Sequence, residues 1–263
     1  MLPTANRAAA LCANFDSVLA LSGVGEIVVV DDGSTDDTWS WLTAQCDPRL
    51  RLVRQPESRG SPAARNRGTE VAIGTWVVFV EDDCRFPRDY AEVLAREAHR
   101  HGADIAAAPM VHLDGQPDLA VALARARSAR VGANGLDGVA GFPDGPVLTP
   151  LLPAPALVHR RVLDEVRFDE AYRGNAYREE TDFFLRATYR GFRCLLTPNT
   201  YFWEPRRYPG GQPRTLGAEL WTLRNNWRFL RRHGDWLAAA GHISSPGREQ
   251  LVFMLRRLAA TLW

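Results

Sequence analysis

Short apolar runs alternate with longer amphipathic stretches over residues 7–111. Ile27–Val30 is a continuous run of β-branched residues, and Trp76–Val80 is a longer apolar run. Runs of this length are typical of strands that are buried on both faces. Around them, apolar positions recur with helical spacing. The resulting order α-β-α-β-α-β-α predicts an α/β fold with a mainly parallel sheet flanked by helices.

The same pattern sets the expected bounds of the elements. Strands are predicted at 26–30, 51–53, 76–80, 104–111, 193–196 and 200–203, and helices over 7–21, 36–45, 62–73, 87–100, 117–130, 160–166, 179–190, 215–233 and 247–260. No strand is predicted before Pro3. Residues 131–153 are rich in Gly, Pro and Asp and are predicted to form one long loop. Residues 206–214 have the composition of a hinge.

Charge and cysteine content exclude several classes of protein. The 32 basic residues, all arginine, nearly balance 31 acidic ones, so no overall field favours nucleic acid. The absence of lysine excludes a Schiff-base lysine and a Walker A motif. The four cysteines form no C-x-x-C pair and are expected to be free thiols.

The chain shows no feature of membrane insertion or export. It lacks an apolar run of about 18 residues and a basic segment followed by an apolar core at its start, so we expect a cytoplasmic location. The two C-terminal helices are amphipathic and rich in arginine. They leave three interpretations open: peripheral contact with an acidic membrane surface, contact with a second copy, or a solvated face.

Acidic residues follow two of the predicted strands. Asp31 and Asp32 come directly after the first strand, and Gly33 supplies a tight turn. Glu81, Asp82 and Asp83 follow the strand at 76–80. Because ligands bind beyond the carboxyl ends of strands in open α/β sheets, both groups are predicted to face a ligand crevice.

The residue types in this crevice suit a divalent cation and a phosphate group. Glu81 and Asp83 project to the same side of an extended chain, and Mg²⁺ is held by carboxylates together with phosphate oxygens. The planar fork of Arg65 suits phosphate. A third acidic group, Glu179-Glu180-x-Asp182, begins a helix, where a carboxylate is placed to take a proton from a hydroxyl.

Six motifs, in order, resemble those of the family 2 glycosyltransferases, which have the GT-A fold, depend on nucleotide sugars and invert the anomeric centre. The motifs are Pro3-Thr4-x-Asn6-Arg7, the segment 26–38 containing Asp31-Asp32-Gly33-Ser34, Ala64-Arg65-Asn66-Arg67-Gly68, Phe79-Val80-Glu81-Asp82-Asp83, Glu179-Glu180-Thr181-Asp182 with Arg186, and Asn225-Asn226 with Arg231. They cover roughly residues 3–233.

The resemblance implies a role for each site residue. Glu180 is implied as the catalytic base, and Glu81 and Asp83 as the acidic positions of a D-x-D motif that binds Mg²⁺ or Mn²⁺. Substrate binding is implied for Pro3, Thr4, Asp31, Asp32, Arg65, Asp82 and Asp182. For Asp182, capping of its helix is the alternative, and Glu179 is interpreted as a solvated neighbour.

The resemblance also implies an organisation and a reaction. Residues 1–205 would form the GT-A domain, with a nucleotide-binding half (1–111) and an acceptor-binding half (112–205), followed by a hinge and C-terminal helices (206–263). The donor would be a UDP-, GDP- or dTDP-sugar, and the acceptor hydroxyl is not specified. Two alternatives remain: a module that binds nucleotide sugars without transfer, and a nucleotidyltransferase.

Four positions depart from the family pattern. The strand expected before Pro3 is missing, Glu81 replaces the usual first Asp, and Glu180 replaces an Asp at the base. The family's metal-binding His is absent from residues 202–206. Either Glu204 takes its place or the metal relies on Asp83 and phosphate alone.

Overall fold

The computed structural model describes residues 1–113, 118–128, 142–205 and 215–259. The predicted hinge at 206–214 and part of the predicted loop, 131–141, lie outside these residues. The strands are β1 Leu2–Thr4, β2 Ile27–Asp32, β3 Leu50–Gln55, β4 Trp76–Val78, β5 Ile105–Ala107, β6 Met110–His112, β7 Val147–Leu148, β8 Ala156–His159, β9 Cys194–Leu196 and β10 Phe202–Glu204. The helices are α1 Ala8–Leu19, α2 Thr38–Thr43, α3 Ser61–Val71, α4 Tyr90–His101, α5 Leu119–Ser128, α6 Arg160–Glu165, α7 Glu179–Tyr189, α8 Leu216–Ala239 and α9 Pro246–Ala259.

A strand at residues 2–4 corrects the prediction that none precedes Pro3. β1 pairs in parallel with β2, with Leu2 opposite Val29. On its other side, the amide of Val80 donates to the carbonyl of Met1 at 3.0 Å. β1 therefore lies between β2 and the segment that includes β4. Three residues containing a proline form no recognisable apolar run, and the strand is specified by its two neighbours instead.

An antiparallel strand, β8, joins the two halves of the fold. It pairs with both β4 and β5, and β9 continues the sheet in parallel with β5. The sequence pattern did not predict β8. It also placed residues 147–148 in a loop, which is wrong, because β7 pairs antiparallel with β9. The strand predicted at 104–111 is divided into β5 and β6, and β6 pairs with β10 instead.

Helices cover both faces of the sheet, as the alternation of elements predicted. Val29 packs in one buried cluster with Leu2, Leu11 and Leu94. Val28 and Val30 point to the opposite face and pack in a second cluster that includes Phe183. Burial on both faces explains why the sequence of β2 is continuously apolar rather than alternating.

The C-terminal helices form an antiparallel hairpin that packs against α7. Phe229 and Leu237 of α8 are buried with Leu185 of α7. Gly234 lies against Pro246 at the start of α9, where an added Cβ would be 2.4 Å from the proline ring. Within the described residues, no helix combines the length and the apolar character needed to span a bilayer.

Candidate active site

The carboxyl ends of β1, β2 and β4 open into one cleft. Its main cavity, of about 600 Å³, is lined by most of the predicted site residues, namely Pro3, Thr4, Asp32, Arg65, Glu81, Asp82 and Asp83. A second cavity of about 490 Å³ is lined by Glu179 and Glu180 and shares Ser61 and Glu81 with the first. The two cavities are therefore contiguous, and the three acidic segments of the sequence meet there.

Asp32 organises one wall of the cleft. Its carboxylate accepts four hydrogen bonds, from the side chains of Gln55 and Ser58 and from the amides of Arg59 and Gly60, at 2.5–2.9 Å. These bonds fix the loop between β3 and α3 against the end of β2. In this structure Asp32 shapes the wall of the cleft, and its acceptor capacity is largely used.

Asp31 lies apart from the cleft, although it is adjacent to Asp32. Its side chain is fully buried, accepts a hydrogen bond from the amide of Ser34 at 3.2 Å and lies 3.2 Å from the guanidinium of Arg54. Successive residues of a strand point to opposite sides. Asp31 therefore stabilises the turn, whereas Asp32, the next residue of β2, lines the cleft.

Arg7 holds two carboxylates at the end of β4. Its Nη2 lies 2.5 Å from Asp83 Oδ2, and its Nε donates to Asp82 Oδ1 at 3.2 Å. Thr4 Oγ1 donates to the other oxygen of Asp82 at 2.7 Å. Burial raises the pKa of Asp82 to about 6, although the charge of Arg7 opposes this. Arg7 had no predicted role, and its place in the first motif was the only signal in the sequence.

Arg65 is the centre of a buried ionic cluster. It is 2% exposed, bonds Glu179 through Nη1, and approaches Glu180 at 2.8 Å and Glu81 at 3.4 Å through Nη2. Burial alone would lower the pKa of Arg65, but the three carboxylates raise it above its usual value. Arg65 therefore holds α3, α7 and the end of β4 together.

Burial disfavours the charged forms of Glu179 and Glu81. The side chain of Glu179 is almost completely buried, which corrects its interpretation as a solvated neighbour. Burial raises the pKa of both carboxyl groups, and the charge of Glu180 raises them further. Glu180 itself is partly exposed. It is thus the member of its motif that a ligand in the cleft can reach.

The residues at the end of β4 fit a hard divalent cation. Ligand atoms of Glu81, Asp83 and Cys84 lie within 4.8 Å of one another. Burial raises the pKa of the Cys84 thiol well above its usual value, and the charges of Glu81 and Asp83 add to this shift. The two carboxylates provide the oxygen ligands that Mg²⁺ and Mn²⁺ prefer. Glu204 lies near this group, since its charge contributes to the shift at Cys84.

Asp182 lies outside the cleft, in a network between α7 and α8. His233 Nε2 is 2.9 Å from Asp182 Oδ1, and the other ring nitrogen is 2.9 Å from the hydroxyl of Tyr189. Arg186 and Arg232 also bond Asp182, at 2.6 and 2.7 Å. Burial raises the pKa of Asp182, but the lowering by these partners is larger, and the pKa falls to about 2. The structure therefore gives Asp182 a role in packing α8 against α7.

Comparison with known proteins identifies the family. A sequence profile of "Glycosyl transferase family 2" matches residues 1–165, and the chain belongs to this family. It is 37% identical over 114 residues to the succinoglycan biosynthesis protein ExoO of Rhizobium meliloti; the match covers 42% of this chain and 33% of ExoO. The chain thus aligns with about a third of that relative.

Solved structures show the same fold at low sequence identity. Residues 1–349 of S. aureus TarS in complex with UDP-GlcNAc superpose with a TM-score of 0.62 at 17% identity, over 87% of this chain and 65% of that one. The mannosyltransferase PcManGT from Pyrobaculum calidifontis, in complex with GDP-Man and Mn²⁺, gives a TM-score of 0.60 at 22% identity, over 87% and 60%. The predicted GT-A-like fold is confirmed.

The Asp182 network yields a prediction about stability. The folded-state pKa of Asp182 lies near 2, below the ordinary value of 3.8. The charged carboxylate therefore stabilises the fold above about pH 4, and this stabilisation is lost as the pH falls through about 2. We expect Asp182→Asn to lower the free energy of unfolding by about 2–4 kcal/mol at pH 7, measured by urea denaturation.

The pH dependence and a control test the cause of this loss. The difference between wild type and Asp182→Asn should narrow as the pH is taken from about 4 towards 2. Asp164→Asn, a change at an exposed position on α6, should leave the urea midpoint unchanged. Equal midpoints for Asp182→Asn and wild type at pH 7 would contradict the assigned role.

Proposed function

We propose that this protein transfers a sugar from a nucleoside-diphosphate sugar to an acceptor hydroxyl with inversion at the anomeric carbon. One observation carries the proposal: Arg65 brings the carboxylate of Glu180 and that of Glu81 to the same guanidinium, at the junction of two contiguous cavities. A base and a candidate metal ligand thereby lie on the same cleft. Membership of the family supports the assignment.

Glu180 is the proposed general base. It is the partly exposed carboxylate of its motif, and Arg65 orients it from 2.8 Å. In the proposed step, the acceptor oxygen forms a bond to the anomeric carbon while the bond from that carbon to the diphosphate oxygen breaks. The acceptor proton moves to Glu180, and the electron pair of the broken bond leaves with the diphosphate. A single displacement inverts the configuration.

Glu81 and Asp83 would hold a Mg²⁺ or Mn²⁺ ion, with Glu204 nearby in place of the family's His. Such an ion stabilises the negative charge that develops on a departing diphosphate. The relatives that support this proposal include a neighbour whose structure contains GDP-Man and Mn²⁺. The donor is a nucleoside-diphosphate sugar carrying UDP, GDP or dTDP. Pro3 and Thr4 line the part of the cleft nearest β1 and would contact the nucleoside.

The alternative of a binding module without transfer activity loses one of its two arguments. It was based on a missing first strand and a missing metal-binding His. β1 is present and correctly paired, and the carboxylate of Glu204 lies near the proposed metal ligands. We therefore favour the enzyme.

The base assignment predicts a specific kinetic defect. Glu180→Gln keeps the shape of the side chain but removes its ability to accept a proton. We expect transfer to fall by about 10²–10⁴-fold, while the affinity for UDP, measured by calorimetry, changes little. Glu165→Gln, an exposed position on α6, is the matched control. Transfer at the wild-type rate in Glu180→Gln would assign the base to another residue.

The metal assignment predicts that transfer depends on the concentration of added metal and that loss of Asp83 abolishes this transfer. Wild type should require Mg²⁺ or Mn²⁺ for transfer, with EDTA abolishing activity and added metal restoring it. Asp83→Ala should remove turnover at every metal concentration without lowering the melting temperature, because this carboxylate is partly exposed and its partner Arg7 keeps its contact with Asp82. Asp235→Ala, an exposed acid on α8, should behave as wild type. Full activity in Asp83→Ala would overturn the assignment.

Peripheral membrane contact through the C-terminal hairpin is the proposed partner interaction. Leu216, Leu220 and Trp227 of α8 are exposed, at positions that share one face of the helix. Leu251 and Leu255 of α9 are also exposed. The two helices carry seven arginines against three acidic residues, whereas the whole chain has a net charge of +1. Arg228, Arg232 and Arg257 are paired with carboxylates of this chain, so the exposed apolar row is the main support for contact with a lipid headgroup region.

Vesicle sedimentation tests this contact. We expect the protein to sediment with vesicles that contain phosphatidylglycerol and to remain in solution with pure phosphatidylcholine. The double variant Leu220→Ser/Trp227→Ser should lose most of the bound fraction, and Ile73→Ser, an exposed apolar position on the catalytic part, should retain it. Dimerisation of wild type that the double variant abolishes, with no vesicle binding, would assign the surface to a second copy instead.

A further inference from the structure

We propose that Arg7 is an internal counter-cation of the metal site. Its guanidinium pairs with Asp83 when no nucleotide is bound, and it moves to the diphosphate of the donor when the metal binds. Metal binding and nucleotide binding are then coupled through this one side chain. The inference rests on the proposed metal function of Glu81 and Asp83.

Arg7 and a metal would share the carboxylate of Asp83. Arg7 Nη2 lies 2.5 Å from Asp83 Oδ2, and Glu81 and Asp83 are the candidate oxygen ligands. A guanidinium cannot be deprotonated in a protein, so it stays positive. A divalent cation at Asp83 is therefore repelled by Arg7 for as long as the arginine remains in this position.

The side chain of Arg7 is able to leave Asp83. Its backbone amide is fixed by a hydrogen bond to Thr38 Oγ1 at 2.9 Å, so the start of α1 stays in place. The side chain is 18% exposed and lines the main cavity. Asp82, its second partner, keeps a separate hydrogen bond from Thr4. The long arginine side chain can thus turn into the cleft without disturbing the backbone.

The diphosphate of the donor would be a new ionic partner for Arg7. A guanidinium fork matches the oxygens of a phosphate group, with two parallel hydrogen bonds. Arg65, which the sequence suggested for this role, is held by three carboxylates and is 2% exposed. Arg7 is the more accessible of these two cations. A diphosphate in the cleft would release Asp83 and complete the coordination of the incoming metal.

Measurement of Mn²⁺ binding tests the inference without an activity assay. The electron paramagnetic resonance signal of the free ion reports how much Mn²⁺ remains unbound. Without nucleotide, Arg7→Gln should bind Mn²⁺ roughly ten-fold more tightly than wild type, since the competing positive charge is gone. UDP should tighten Mn²⁺ binding strongly in wild type and much less in Arg7→Gln. Arg7→Lys, which keeps the charge, should remain weak without UDP. Arg67→Gln, an exposed arginine of α3, is the control.

The outcomes separate this inference from the proposed function. If wild type binds Mn²⁺ in the presence of UDP but Arg7→Gln has the wild-type affinity without UDP, the role of Arg7 is wrong and the metal site stands. If wild type binds no Mn²⁺ with or without UDP, the metal site itself is wrong, and the role of Arg7 falls with it. A circular-dichroism melt of each variant confirms that it is folded.

Discussion

The buried guanidinium of Arg65 is the interaction on which the cleft depends. It neutralises part of the charge of Glu179, Glu180 and Glu81, which come from a helix N-terminus and a strand end far apart in the chain. Without it, three carboxylates would share one poorly hydrated site, and removal of one member of a buried ionic group costs about 3–5 kcal/mol. The ring of Phe168, 5.5 Å from the guanidinium carbon, helps to exclude water from the cluster. Arg65 thus determines where the proposed base lies relative to the proposed metal ligands.

Arg65 and Arg7 both place a positive charge in this cleft, but they differ in exposure and therefore in role. Arg65 is completely enclosed and acts as a fixed support, although its position in the sequence suggested contact with phosphate. Arg7 is partly exposed and holds its two carboxylates from the edge of the cavity. The guanidinium group therefore forms a permanent ionic contact at Arg65, whereas at Arg7 it is the proposed exchangeable partner. Burial, which only the folded structure reveals, makes the difference.

The sequence predicted the features that follow from local pattern. β2, the acidic strand ends and the start of α7 were found because apolar runs, turn residues and helix N-termini are local signals. It did not predict β1 or β8, because a proline lies within β1 and directly before β8; both strands are selected by their neighbours in the sheet. The different positions of Asp31 and Asp32 follow from strand alternation, but only after the register is known. The network of Asp182 was not foreseen, because its partner His233 lies 51 residues further along the chain.

The position of His233 has a consequence for how this chain can be recombined with its relatives. Its ring is completely buried between Asp182 and Tyr189 of α7, although it belongs to α8. The C-terminal hairpin therefore completes the interior of the region that carries the proposed base. A chimera that exchanges everything after residue 205 for the corresponding segment of a relative would need to supply an equivalent buried hydrogen-bond partner. Swapping the hairpin for another helical unit is consequently also a change to the region that carries the proposed base.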